Sequence, residues 1–162
     1  MATTRAVLTP ESAHFPASNF PGFTTVNQRP ALAFDAATDE TAYWTLAAPQ
    51  GLSGALSLVV SFIMASATTG SVRFQAAVEA VTAADATDLD AGTSFDTANS
   101  AGGTVPGTAG YLQQVTITLT NADSIAAGDY VRIALNRDAD GTSGTDDATG
   151  DCYVLAVELR EA

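Results

Sequence analysis

Apolar and polar residues alternate with a period of two over much of this chain, as strands with one buried face require. The clearest run spans 54–66, where Leu56, Leu58, Val60, Phe62 and Met64 share one face and Ser57, Val59, Ser61 and Ile63 the other. A Thr68-Thr69-Gly70 break leads into 71–82, in which Val72, Phe74, Ala76 and Val78 alternate with Arg73, Gln75 and Glu79. A hairpin is the expected result. Shorter strands are expected at 31–35 and 41–46, before a turn at Pro49 and Gly51, and residues 111–120 set Val115, Ile117 and Leu119 against outward threonines. Two further runs close the chain: 129–137 with Val131, Ile133 and Leu135 inward, and 151–160 with Tyr153, Leu155, Val157 and Leu159 inward.

Between these runs, 83–110 is rich in Ala, Thr, Asp and Gly and reads as a surface excursion, with 93–98 as its one short strand. Residues 121–128 read as a single helical turn capped by Asp123 or Ser124 and ended by Gly128. About eight strands with almost no helix predict an all-β fold, two antiparallel sheets packed as a β-sandwich. Val59 and Ile63, and Val154 and Ala156, put apolar side chains on a second face. They are candidate contacts between subunits, with burial under the long loop or the N-terminal segment as the alternative.

Residues 1–30 differ from the rest. Pro10, Pro16, Pro21 and Pro30 punctuate them and predict an extended arm without regular structure, ahead of a sandwich domain at 31–162. Phe15, Phe20 and Phe23 in that arm are apolar enough to pack along the domain or to dock on a partner.

A chain of 162 residues fits one self-sufficient core. Its 18 acidic residues face 6 basic ones, all arginine, and a net charge of -12 argues against nucleic-acid binding. The longest apolar run, 55–67, is broken by serines and too short to cross a membrane as a helix, and no leader is expected at the amino terminus. A soluble protein without membrane or nucleic-acid partners is the expectation.

Candidate chemistry is sparse. His14 has no nucleophile or carboxylate at a recognisable spacing, no phosphate-binding loop is present, and Cys152 sits in a strand pattern where a buried thiol is expected. No catalytic residue and no cofactor are expected. The acidic loop 138–147 resembles a calcium loop in composition, but serine stands at 143 and threonine at 149 where the glycine and the bidentate glutamate would be needed. It is read as a turn in which aspartates bond their own backbone.

The segments Trp44 to Pro49 and Thr69 to Phe74, Ala127-Gly128-Asp129, Arg137-Asp138 and the Gly150 to Tyr153 strand start together resemble the jelly-roll modules of tailed-phage structural proteins. The resemblance covers about 40–160 and is most like a capsid decoration protein, since the chain lacks the heptads or repeats of a fibre shaft. It implies a homotrimer on the outer surface of a virion, soluble in the host cytoplasm before assembly. There it would bind the major capsid protein and stabilise the shell, with Phe15, Phe20 and Phe23 as capsid anchors and Val59, Ile63, Val154 and Ala156 at the trimer contact.

The alternative is a sandwich at a head fibre, tail fibre or baseplate that binds a surface glycan or receptor. It would stack exposed aromatic rings on sugar faces, with Tyr43, Trp44 and Tyr111 as candidates. The alternation of Trp44 with Ala42 and Leu46 places its ring in the core instead.

Overall fold

The computed structural model describes residues 2–162. Ten strands form in chain order: β1 (Thr3–Leu8), β2 (Gly22–Val26), β3 (Arg29–Phe34), β4 (Glu40–Ala47), β5 (Leu56–Met64), β6 (Ser71–Val81), β7 (Asn99–Thr104), β8 (Gln113–Leu119), β9 (Tyr130–Arg137) and β10 (Cys152–Glu161). They make a six-stranded sheet of order β2-β3-β10-β5-β8, with β1 also on β10, and a four-stranded sheet of order β4-β9-β6-β7. All pairings are antiparallel. Without β1 and β2, the two sheets are β3-β10-β5-β8 and β4-β9-β6-β7: the alternation predicts the two packed sheets, and their strand order is the eight-stranded jelly roll that the resemblance implies.

The sheets close on an apolar core in which Phe74 of β6 meets Phe34 of β3 edge-on at 6.3 Å and Phe62 of β5 at 5.6 Å between ring centroids. Trp44, only 1% exposed, belongs to that core, and its indole N–H donates to the Thr9 carbonyl at 2.8 Å. That bond is one reason why 1–30 is not the irregular arm expected from its prolines. β1 pairs with the second half of β10, Pro10–Ser12 forms a short 3-10 turn, and β2 pairs with β3 through a turn at Asn27 and Gln28, both at positive φ. Pro10, Pro16 and Pro21 stand between strands, and Pro30 is the second residue of β3, at the end that β10 does not reach, so a missing N–H costs little.

Three other expectations need correction. The short strand of the excursion is β7 at Asn99–Thr104, and 93–98 is irregular. Residues 121–128 form turns, because Asp123 (φ 50) and Ser124 (φ 53) adopt the left-handed conformation that a right-handed helical turn excludes. In β10 the register shifts between Val154 and Ala156, so Cys152 and Val154 face inward with Val157 and Leu159, while Tyr153 and Leu155 do not. A one-residue bulge reverses the phase of everything before it.

Candidate functional site

Three neighbouring strands of the four-stranded sheet carry the site on their outer face. Antiparallel pairing aligns Thr41 of β4 with Asn136 of β9 and Gln75 of β6, and one row along it aligns Tyr43 with Ala134 and Ala77. The small side chains of Ala77 and Ala134 leave a depression between their larger neighbours. Phe95, brought over the sheet by the excursion, closes one side, and the result is a cleft of about 250 Å³.

The wall of the cleft is aromatic and held from behind. Tyr43 and Phe95 stack with centroids 5.8 Å apart and planes 24° apart. The Arg132 guanidinium lies over both rings, 4.7 Å from the Phe95 centroid and 5.7 Å from that of Tyr43. Its Nε donates to Glu79 Oε2 at 2.8 Å, and Glu79 Oε1 accepts from the Ser94 amide at 2.6 Å and hydroxyl at 3.1 Å. Burial works against ionising Glu79, but the Ser94 bonds and Arg132 outweigh it and hold the carboxyl below its ordinary pKa. The amide of Asp96 adds a bond to the Val78 carbonyl at 2.9 Å, so Phe95 is pinned on both sides.

Polar groups gather at the opposite end. Asn136 Nδ2 donates to Thr41 Oγ1 at 3.4 Å, which leaves Asn136 Oδ1 buried without a hydrogen-bond partner. Among the described residues it is the one buried side-chain oxygen or nitrogen without a partner.

His14 is exposed in the N-terminal segment as a whole residue, yet it is tied to this wall. It exchanges both backbone bonds with Tyr43 at 2.9 Å and stacks on the tyrosine ring at 5.7 Å. Partial cover by that ring and repulsion from Arg132 lower its pKa.

The other candidate residues are scattered. Trp44 is interior, and Tyr111 is exposed away from the cleft lining. Phe15 and Phe20 pack against each other at a tilt, 5.6 Å between ring centroids, and remain exposed, and Phe23 is exposed on edge strand β2. Val154 is 1% exposed and part of the core, which corrects its place at a subunit contact. Val59 is also covered, between Glu158 and Thr116 in register. Ile63 keeps a part-exposed place on the outer face of the larger sheet, in a groove with Leu112 and Leu155, and Ala156 is part-exposed on β10. Cys152 is fully buried, and burial pushes its thiol far above the ordinary range.

The carboxylate of Asp39, from the β3–β4 connection, approaches those of Asp138 and Asp140 in the acidic loop. Asp138, itself buried, spends its oxygens on the amides and hydroxyls of Thr142 and Ser143. The loop is thereby built as a turn. Its other function is to supply Asp146, which takes two bonds from the buried Arg137 at 3.0 and 2.8 Å.

Sequence reasoning named Tyr43 but missed Asn136, Gln75 and Phe95. The one available signal for Phe95 was a lone aromatic in a stretch of small and polar residues. Nothing local marks the two amides, which converge only through strand register.

The fold is similar to two solved carbohydrate-binding modules. One, described by its specific mannan recognition, is 12% identical with a TM-score of 0.46, covering 100% of this chain and 99% of that one. The other, specific for non-crystalline cellulose, is 9% identical with a TM-score of 0.45, covering 94% and 88%. No family model and no curated protein matches the chain.

Proposed function

We propose that this protein is a non-catalytic saccharide-binding module whose site is the cleft over β4, β9 and β6. The observation that carries the reading is the unpartnered Asn136 Oδ1, buried beside Thr41 and Gln75 under an aromatic wall. A buried acceptor without a donor costs about 1–3 kcal/mol. A ligand hydroxyl recovers that loss on binding, while the apolar C–H groups of a pyranose pack against whatever part of the Tyr43 and Phe95 wall faces the cleft. Binding without reaction suits a site whose flanking acid, Glu79, is buried with both oxygens bonded to Arg132 and Ser94.

The test is Asn136→Ala, read by calorimetric titration with glycans and by melting temperature. A binding acceptor gives lost affinity with unchanged or raised stability, because the variant removes an unsatisfied group. A lower melting temperature with intact binding would mean that Asn136 is merely structural.

A second reading has its own observation. The exposed Phe15–Phe20 pair and the Ile63–Leu112–Leu155 groove suit protein contact, as a capsid-decorating homotrimer requires. Light scattering at micromolar concentration separates the two: a trimer mass supports the decoration reading, and a monomer mass removes its multivalency.

A further inference from the structure

We infer that the cleft takes an uncharged saccharide and rejects acidic ones such as uronates, an inference that rests on the saccharide reading above. On a chain of net charge -12, the cleft is lined by alanines, two aromatic rings, one threonine and two amides, with no ionised side chain among them. The charges that flank the wall are already opposed. Arg132 gives its Nε to Glu79 and its guanidinium face to Phe95 and Tyr43, and Glu79 is 1% exposed.

The hydrogen-bonding chemistry gives the same answer. Asn136 Oδ1 has no donor, while Nδ2 lies 3.4 Å from Thr41 Oγ1. A sugar hydroxyl supplies one and can also accept, so it matches an amide such as Gln75 in either sense. An ionised carboxylate only accepts. Placed beside Asn136 it would face Oδ1 oxygen to oxygen, and anywhere in the cleft it would lose water without gaining an unpaired cation.

The experiment uses the full chain on a glycan array of neutral and acidic structures. Calorimetric titration follows, of the best neutral glycan against its counterpart oxidised to the uronate, at low and high salt. The expected result is a neutral ligand bound at least about tenfold more tightly than the uronate at both salt concentrations, as one lost hydrogen bond and a desolvated charge predict. Equal or tighter uronate binding would overturn the inference, with Arg132 then acting as an anion receptor. A preference that vanishes at high salt would overturn it too, because screening removes long-range repulsion by the net charge and leaves contacts within the cleft. An array silent for both classes fails the saccharide reading itself.

Discussion

Replacing Asp146 by asparagine should cost this protein a large part of its stability. The Arg137 side chain is 0% exposed and that of Asp146 1%, so the pair is fully inside. The guanidinium also donates to the carbonyls of Ala148 and Gly150 at 2.8 and 2.9 Å, which fastens the acidic loop onto the end of the sandwich. Asparagine keeps the shape of the aspartate but removes the charge, and a buried cation left without its anion costs about 3–5 kcal/mol. No discount for solvent screening applies at this depth. Set against the roughly 5–15 kcal/mol that holds a domain folded, the loss is severe, and at about 2–4 °C per kcal/mol it lowers the melting temperature by roughly 10 °C. Calorimetry and urea unfolding read it directly. The neighbouring Asp147, which accepts from the Ser71 amide at an exposed position, is the control, and Asp147→Asn should stay within about 1 kcal/mol. An Asp146→Asn loss below about 1 kcal/mol, or one no larger than the control, refutes the account of the loop as a clamp on Arg137.

Three further outcomes are expected. Tyr43→Ala should abolish glycan binding measurable at millimolar ligand, and glycan should leave the fluorescence of the buried Trp44 unquenched while perturbing tyrosine emission. Stability should fall with pH in two stages seen by thermal melts: His14, with its pKa lowered, stays neutral when folded and charges when unfolded, so stability drops as pH falls below its ordinary 6.5. Glu79 and Glu161, the latter lowered to about 2 by the Ser53 and Gly54 amides and Arg5, stay ionised when folded, so their contribution is lost from about pH 4.5 downward; a flat melting temperature between pH 7 and 3 would contradict both stages. Cys152 should resist a maleimide in the native state and react in urea, because its thiol is buried and scarcely ionised.

The parts of the fold that were legible are those where burial acts on one strand at a time. β6 alternates because one face is core, and β5 keeps its large apolar residues in step on the core face although most of its other face is covered too; both patterns survive in the sequence without their partners. β7, with the sequence Asn-Ser-Ala-Gly-Gly-Thr, has no apolar alternation because it forms an edge of its sheet, and only its pairing with β6 makes it a strand. β1 and β2 were hidden for a related reason: their sequences lie among prolines, and the bonds that order them come from β10 and β3. The Val154 bulge shows how a single inserted residue defeats a pattern argument, since it exchanged the apparent outer and inner faces of half a strand. The cleft was least legible. Its floor is made by what Ala77 and Ala134 lack, and its polar groups come from β4, β9 and β6, which meet only in the folded sheet.

That construction also explains why the excursion after β6 is well fastened when most of its residues touch little. A binding wall made of a free loop would have to be ordered by its ligand, at about 0.5–1.5 kcal/mol for each side chain immobilised. Here the ordering is done in advance. Glu79 fixes Ser94, the Val78 carbonyl fixes Asp96, and Asp96 in turn receives the Asp123 amide at 3.1 Å, so Phe95 stands between two anchored neighbours. Arg132 then lies over both rings without presenting an unopposed charge. The ion pair of Glu79 with Arg132 is therefore a positioning device: it acts on the ligand only through Tyr43 and Phe95, and its value lies in the rigidity it gives an aromatic wall.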